Sequence, residues 1–288
     1  MSRSFLFVPA SSERKLAKAG NSDADALILD LEDSVAADAR PAARQIASKY
    51  LRSGDLKELW VRINPLDTRD ALLDLDAVMP GAPFGIVLPK PESAKDANQL
   101  AKLLDGLEQE HGLPPGQTKI LPIATERPAA IFHMHDYAAA TPRLAGLTWG
   151  AEDLSAAVGA SRSRDANGHW LAPYELARSL CLFAAAAASV PAVDTVFTDY
   201  KDLEGLAQYA ARARRDGFEG LLAIHPDQVA VINAAFEPSS DEVERAKRIV
   251  ELFANNPQAG ALGMDGEMID RPHWIQAKRI LETAARLK

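Results

Sequence analysis

Short apolar runs alternate with longer amphipathic segments along most of this 288-residue chain. The apolar runs have the length and boundaries of buried β-strands, and they fall at residues 5–10, 26–32, 58–64, 84–89, 119–125, 144–149, 192–198 and 220–225. Helical spacing of hydrophobic residues occurs between them, near 13–20, 38–52, 68–78, 93–111, 127–140, 173–189 and 203–216. Because parallel strands need crossover connections such as helices, this alternation predicts a parallel sheet.

The choice between an open sheet and a closed barrel rests on two missing features and on the chain length. A doubly wound open sheet usually carries a glycine-rich phosphate loop after its first strand, and residues 7–13 have neither that pattern nor a P-loop lysine. No linker rich in Gly, Ser or Pro divides the chain, and its length is near that of one α/β barrel. We therefore expect an α/β fold with a single (β/α)8 TIM barrel over residues 1–226.

The alternation stops after residue 226. Helical patterns cover 227–235 and 241–255, a turn-rich segment covers 256–266, and a last helix begins near Pro272. We expect residues 227–288 to form a C-terminal helical extension packed on the same domain as the barrel. Its Gly-Met-Asp-Gly and Met-Ile-Asp-Arg-Pro pieces favour a lid or a partner-contacting segment, with a plain packing extension as the alternative.

Charge and cysteine content indicate which partners the protein binds and in which cellular compartment it works. With 32 basic and 40 acidic residues the formal charge is −8, and no basic block stands out, which argues against a nucleic-acid partner. The single Cys181 excludes an intramolecular disulfide, and its apolar neighbours favour a buried, inert thiol over a nucleophile. Neither the N-terminus nor the Ala-rich stretch 180–193 has the features of a signal peptide or a membrane span. We expect a cytoplasmic protein with no membrane contact.

Polar side chains gather where the predicted strands end. The run that begins at Ala26 closes on Asp30, Glu32 and Asp33, a cluster that is costly unless a cation or a substrate compensates its charge. Three further strands close in the same way, on Arg62, Asn64, Glu126, Glu152 and Asp153. A single carboxylate in such a place is more often solvated or a helix cap than catalytic. The recurrence predicts an active site, because all strand ends of a barrel meet at one mouth.

Seven short segments, in order along nearly the whole chain, carry a resemblance to a known family. They are Arg3–Pro9, Leu29–Val35, Val61–Asn64, Leu88–Lys90, Gly150–Leu154, Ile224–Pro226 and Met268–Pro272. Each is a weak pattern alone, but together they resemble the citrate lyase β-subunit-like branch of the HpcH/HpaI aldolase family. The resemblance implies a Mg2+-dependent (β/α)8 carbon–carbon lyase acting on citryl-, malyl- or citramalyl-type thioesters. It also implies a homo-oligomer, with a trimer or a hexamer as the candidate sizes.

The resemblance implies that Glu126 and Asp153 bind the metal, which is Mg2+ with Mn2+ as the alternative. Two carboxylates suit Mg2+, because this ion leaves its remaining positions to water and substrate oxygens. A loop salt bridge for Glu126 and a helix cap for Asp153 are the structural alternatives. Glu152 is the rival ligand, but its side chain would point the other way if both residues lie in extended backbone.

Arg62 is the predicted anchor for a substrate carboxylate or an enolate oxygen, because a guanidinium can donate two parallel hydrogen bonds to such groups. An internal ion pair with Glu32 or Asp33 is the alternative, and both roles hold together if the acid orients the arginine. Glu32 therefore joins Arg62 among the catalytic candidates. The predicted substrate contacts also include Glu126, Gly150 and Ala151.

Asp270 is the leading acid–base candidate, because it matches the family's C-terminal aspartate, which in relatives can reach the active site of a neighbouring subunit. A barrel mouth is open to water, so a segment donated by a partner would protect an enolate from premature protonation. We therefore predict that Asp270 of one subunit completes the site of another. A cap on the helix after Pro272 is the alternative role, and Asp265 is the alternative residue.

One segment of the sequence indicates the substrate class, and two others leave the exact substrate open. Residues 32–35 stand where the pyruvate-aldehyde aldolase branch of the superfamily carries a histidine, which favours the thioester-lyase branch. The segment Ala124–Pro128 departs from the Glu-Thr-Ala of many relatives, and this leaves the acyl group open. Arg14, Lys15 and Lys18 are candidate contacts for a CoA thioester, although a solvated helix face explains them equally well.

Three functional hypotheses follow. The first is an acyl-CoA lyase that uses a CoA thioester as its substrate. The second is a lyase subunit acting on an acyl-carrier-protein thioester in a complex, and the third is a non-catalytic, regulatory barrel kept for assembly. The joint presence of Arg62, Glu126 and Asp153 disfavours the third hypothesis, because a decayed site should have lost part of this set.

Overall fold

The computed structural model describes residues 2–54 and 57–286. Contacts divide the chain into two compact units, Met1–Ala235 and Phe236–Lys288. In the described ranges, no helix combines the length and the apolar character required to cross a bilayer.

The first unit is a barrel of parallel strands. Among the described residues these are β1 (Ser4–Pro9), β2 (Ala26–Asp30), β3 (Glu58–Arg62), β4 (Gly85–Leu88), β5 (Lys119–Pro122), β6 (Leu147–Thr148), β7 (Ala192–Asp194) and β8 (Gly220–Ala223). They pair in the order β5-β4-β3-β2-β1-β8-β7-β6. Parallel bridges from Ile120 to Leu144 and from Ile123 to Thr148 join the two outer strands of this order and close the barrel. The predicted (β/α)8 fold is confirmed.

Helices surround the strands and follow local capping chemistry. The α-helices of this part are α1 (Glu13–Gly20), α2 (Arg40–Leu51), α3 (Arg69–Val78), α4 (Ala94–His111), α5 (Ala151–Ala157), α6 (Ala172–Ala187), α7 (Leu203–Asp216) and α8 (Pro226–Phe236). The 3-10 helices cover Ala37–Ala39, Met79–Gly81 and Pro128–Ala139. Ser93 and Asp96 form a capping box at the start of α4, and Gly112 ends that helix with a φ of 67°.

Alternate residues of the strands point inward and form the barrel core. Its buried members are Phe5, Ala26, Ile28, Trp60, Val87, Leu121, Ile123, Val193 and Leu222. Trp60 fits because its neighbour on β4 is Gly85, where a Cβ atom would lie 2.3 Å from the indole ring. The interior is therefore packed with apolar side chains, and polar chemistry is left to the strand ends.

Some local predictions differ from the structure. Helix α5 was not predicted, because seven residues are too few to show a helical period. Glu152 and Asp153 lie in its first turn, so the extended backbone assumed for them is wrong. The helix predicted at 127–140 is a 3-10 helix, and β6 and β7 are shorter than the apolar runs that contain them. The residues that follow these strands lie in loops.

The second unit has its own core and a β-hairpin. It contains α9 (Ser240–Asn255), β9 (Ala261–Met264), β10 (Glu267–Asp270) and α10 (Arg271–Arg286). Its buried apolar side chains are Ala246, Ile249, Phe253, Met264, Ile269 and Ala277. The hairpin replaces part of the turn-rich segment that was predicted, and its two-residue turn is Asp265-Gly266, both with positive φ. The lid role of this region stays a prediction.

Candidate active site

A cavity of about 300 Å³ opens at the C-terminal ends of the barrel strands. Apolar side chains, including Phe7, Ile123 and Trp149, form part of its wall. The ionisable side chains that line it are Asp30, Asp33, Arg62, Glu126, Glu152 and Asp153. The cavity therefore contains most of the polar residues that the sequence places at strand ends.

Arg62 ends β3 and is held by a carboxylate that the sequence analysis did not select. Asp30 is its register partner on β2, and the Arg62 Nε and Nη2 atoms each donate to this carboxylate at 2.7 Å. The Arg62 Nη1 atom lies 3.1 Å from Glu32, which is the predicted internal ion pair. Burial opposes the charged form of Arg62, but the hydrogen bonds and charge of Asp30 raise its pKa above the usual value. One edge of the guanidinium is thus occupied, and the Nη1 side faces Glu32.

Lys90 is a second cation at the mouth, and the sequence analysis assigned it no role. Its ammonium group contacts Glu32, and it lies 3.1 Å from Asp33 and 3.3 Å from Asp153. Its backbone N–H donates to Glu126 at 2.6 Å. Burial lowers the pKa of Lys90, but the hydrogen bond and charge of Glu32 outweigh that effect and raise it. The residue therefore links both predicted metal ligands to the acidic end of β2.

Glu126 and Asp153 share the cavity but differ in burial. Glu126 is 4% exposed, and its burial, followed by the charge of Asp153, raises its pKa to about 8. Asp153 lies in the first turn of α5, with 35% of its side chain exposed. A buried carboxyl group whose ionisation is opposed by burial and by a neighbouring carboxylate is a site that a cation would stabilise.

Gly150 allows Glu126 to occupy its position. A Cβ atom on Gly150 would lie 2.5 Å from the Cγ atom of Glu126, which is closer than real contacts allow. The Gly150 N–H donates to the hydroxyl of Thr125 at 3.2 Å, so the segment before α5 is tied to the segment that carries Glu126. Ala151 also lines the cavity, whereas the side chain of Glu152 is exposed.

A buried polar network lies behind this segment. The Trp149 indole donates to Asp194 at 2.6 Å, and the Tyr209 hydroxyl donates to the same oxygen at 2.9 Å. Arg178 donates twice to the other Asp194 oxygen, at 2.9 and 2.8 Å. Because Trp149 precedes Gly150, this network anchors the segment that leads to Asp153. Sequence analysis missed it, since Asp194 looks like one more polar residue at a strand end.

Asp270 lies in the second unit, at the end of β10. Its Oδ1 atom is 2.5 Å from Nδ1 of His273, a histidine that the sequence analysis did not consider. Asp265, the alternative candidate, lies in the hairpin turn. It accepts two hydrogen bonds of 2.8 Å from Arg248 of α9. Of the two aspartates, Asp270 pairs with an imidazole, whereas Asp265 pairs with a guanidinium.

Comparison with known proteins agrees with this geometry. The model of the HpcH/HpaI aldolase/citrate lyase family matches residues 3–226. The chain belongs to this family. Aldolases and citrate lyases break carbon–carbon bonds, so this member of the HpcH/HpaI family is an enzyme of the carbon–carbon lyase class. The resemblance carried by the seven short segments is confirmed.

Several members of the family are similar to this chain over nearly its full length. The β subunit of citrate lyase from Haemophilus influenzae is 36% identical over 288 residues, which cover 98% of this chain and 96% of that protein. The (3S)-malyl-CoA thioesterase of Cereibacter sphaeroides is 34% identical, with 98% and 94% covered. The crystal structure of the CitE protein from Mycobacterium tuberculosis, in complex with magnesium, acetoacetate and coenzyme A, superposes with a TM-score of 0.80 at 36% identity, and 98% of each chain is covered.

Proposed function

We propose that this chain is a Mg2+-dependent acyl-CoA lyase that cleaves or forms the carbon–carbon bond of a malyl-type or 3-hydroxy-3-carboxyacyl thioester. The charge balance at the barrel mouth carries the proposal. In the described cluster the two cations Arg62 and Lys90 face five carboxylates, namely Asp30, Glu32, Asp33, Glu126 and Asp153. The excess of carboxyl groups over cations, with Glu126 buried where ionisation is unfavourable unless a cation compensates it, favours binding of a divalent cation.

Glu126 and Asp153 are the residues that would hold the metal. Both offer the hard oxygen atoms that Mg2+ or Mn2+ takes, and Mg2+ needs only one or two protein carboxylates. When bound, Mg2+ polarises substrate oxygens and offsets developing negative charge. The CitE relative in complex with magnesium and coenzyme A supports Mg2+ as the metal.

The remaining residues fit a retro-Claisen cleavage. The substrate hydroxyl loses its proton and becomes a carbonyl, while the electron pair of the broken carbon–carbon bond forms the enolate of a thioester. Proton transfer to the enolate carbon then gives the acyl thioester. We assign Arg62 to the substrate carboxylate or enolate oxygen, with Glu32 as its orienting acid. We assign Gly150 and Ala151, which line the cavity together with Glu126, to contacts with the substrate.

A second cavity of about 340 Å³ supports a CoA thioester over an acyl-carrier-protein thioester. It shares Phe7, Pro9 and Ile224 with the reaction cavity, so one extended ligand can occupy both. Three cationic side chains line it, namely Arg14, Lys15 and Lys18. The nucleotide part of CoA carries several phosphate charges that such a cluster attracts, whereas a carrier-protein arm made of phosphopantetheine alone lacks this nucleotide.

We assign the acid–base step to Asp270 and propose that it acts in a homo-oligomer, completing the site of a neighbouring subunit. Its contact with His273 supports a role in proton transfer, because a hydrogen-bonded partner holds the carboxylate in a defined orientation. A site shared by two subunits would also keep water from the enolate.

The decisive experiment is an assay of the purified chain with Mg2+ and a panel of malyl-, citramalyl- and citryl-CoA. We expect cleavage of at least one of these CoA thioesters. Glu126→Ala and Asp153→Ala should both abolish the activity and weaken Mg2+ binding while the circular dichroism spectrum is retained. Cleavage only of carrier-protein thioesters would favour the second hypothesis, and no cleavage of either class would favour a non-catalytic barrel.

A further inference from the structure

The backbone of Lys90 is held in an unfavourable conformation. Its φ of 51° lies in the left-handed region, which non-glycine residues rarely adopt. Lys90 also precedes Pro91, and a residue before proline prefers extended backbone. Such strain persists only where the surrounding structure requires it, and it is most frequent at functional sites. We therefore ask which contacts of Lys90 require this backbone conformation.

Those contacts point in two directions from the same residue. The backbone N–H of Lys90 donates to Glu126, and its ammonium group reaches Asp153 at 3.3 Å. The same ammonium group contacts Glu32 and Asp33 from the loop after β2. With 20% of its side chain exposed, Lys90 is shielded enough for these charge interactions to be stronger than at the surface. One strained residue thus contacts both carboxylates assigned to the metal.

We propose that Lys90 is an internal counter-cation that competes with the divalent metal for Asp153 and thereby sets the affinity of the metal site. This inference rests on the proposed function, because it takes Glu126 and Asp153 as the metal ligands. In the metal-free chain the ammonium group neutralises part of the acidic cluster at the mouth. Metal binding then breaks the contact between Lys90 and Asp153. It also brings the divalent metal close to the Lys90 ammonium group, which repels it.

The competition predicts that removal of Lys90 raises the affinity for Mg2+. A residue that only supports the architecture of a metal site weakens metal binding when it is removed. Removal of a competing charge has the opposite effect, since Glu32, Asp33 and Asp153 then keep their full attraction for the metal. Lys90→Met preserves the length of the side chain and removes its charge. We expect this variant to bind Mg2+ about tenfold more tightly or better, on the scale of one unit charge near a divalent ion in a partly hydrated site.

The test is isothermal titration of Mg2+ into the wild-type chain, Lys90→Met and the control Lys49→Met. Lys49 pairs with Glu13 at 3.0 Å on the exposed surface, so its replacement removes an equal charge and should leave the affinity unchanged. In an Asp153→Asn background, the gain from Lys90→Met should shrink, because the contested ligand has lost its charge.

The outcomes separate this inference from the proposed function. Tighter binding in Lys90→Met, with no change in Lys49→Met, supports the counter-cation. Equal or weaker binding in a folded Lys90→Met variant overturns it and leaves the metal ligands in place. If the wild-type chain and Lys90→Met both bind no Mg2+, the inference and the proposed metal site are overturned together. Circular dichroism of each variant establishes that the proteins compared are folded.

Discussion

Arg62 is held from two sides before any substrate is bound. Asp30 accepts hydrogen bonds from its Nε and Nη2 atoms, Glu32 lies beside Nη1, and the guanidinium stacks 4.8 Å from the ring of Phe7. These contacts fix the plane of the guanidinium, so little rotational freedom is lost when a substrate oxygen binds. A lysine cannot replace Arg62 here, because an ammonium group carries the charge but lacks the planar guanidinium that Asp30 and Glu32 hold in place.

We expect Arg62→Lys to lower kcat by about 100-fold or more, the usual effect of losing one donor to a developing oxyanion. Steady-state kinetics with the best CoA substrate measure this effect. The matched control is Arg3→Lys, which loses a similar fork to Asp25 outside the reaction cavity and should keep kcat near the wild-type value. Wild-type turnover in Arg62→Lys would assign Arg62 to structure alone.

Gly150 provides a second test at the scale of one residue. Gly150→Ala should displace Glu126, because the added Cβ atom would lie 2.5 Å from the Glu126 Cγ atom. We expect Mg2+ affinity to fall by about tenfold or more, as when the support of a metal ligand is lost. Titration calorimetry measures the change. Gly106→Ala is the control, since nothing lies within 4 Å of its added Cβ atom, and unchanged affinity in both variants would contradict this role.

The elements place these side chains through short segments that follow the strands. Helix α5 carries Asp153 in its first turn, where a carboxylate is also favoured by the helix dipole. The segment before it is anchored by Trp149, whose indole donates to the buried Asp194. The position of one proposed metal ligand therefore depends on a carboxylate of β7 and on Arg178 of α6, which pairs with it.

Asp194→Asn removes the charge that compensates the buried Arg178. We expect a loss of about 3 kcal/mol in the free energy of unfolding, because the buried Arg178 loses its fully buried counter-charge and keeps only partly exposed partners. Urea denaturation measures this loss. Asp216→Asn is the matched control, because Asp216 contacts the same arginine but is 35% exposed, and its loss should stay near or below about 1 kcal/mol. Equal losses in the two variants would rule out a special role for the buried pair.

At the scale of the whole molecule, we expect the activity of the proposed site to depend on assembly of a homo-oligomer. The cavity that contains Arg62, Glu126 and the residues around them belongs to the barrel unit, while Asp270 belongs to the second unit. The pair formed by Asp270 and His273 is local to the second unit. A homo-oligomer would allow one chain to supply the acid and another the barrel mouth.

Mixing Asp270→Ala with Arg62→Ala, after dissociation and reassembly, should restore activity that each variant lacks. If each site takes Arg62 and Asp270 from different subunits, random equal mixing gives about one intact site in four, and about a quarter of the wild-type activity. Asp265→Ala is the control for the second unit, since Asp265 is engaged by Arg248 in an exposed turn, and it should remain active alone. No recovery in mixed oligomers verified by mass spectrometry would reject the shared site.

Periodicity predicted the strands and helices of this protein, and the chain length with the lack of a phosphate loop and of a linker predicted their closure into one barrel. The spacing of apolar residues predicts each barrel strand and most helices, because burial of one face requires that spacing wherever the element lies in the fold. The strand ends also predict where the chemistry lies, since a parallel barrel brings them to one mouth. The turn of the C-terminal hairpin was readable as well, because Asp265-Gly266 suits two positive φ angles, although the segment was taken for irregular turns.

The partners of each site residue were decided only by the tertiary structure. Asp30 lies 32 residues from Arg62, and Lys90 lies 58 residues from Glu32, so no local pattern indicates that they meet. These contacts follow from strand register and from the path of each loop, which depend on the packing of the whole barrel. The sequence by itself therefore determined the fold and the kinds of groups at the mouth. Closure of the barrel decided which charges neutralise one another and which remain available for a metal, because electrostatic energy depends on distances that only the folded chain defines.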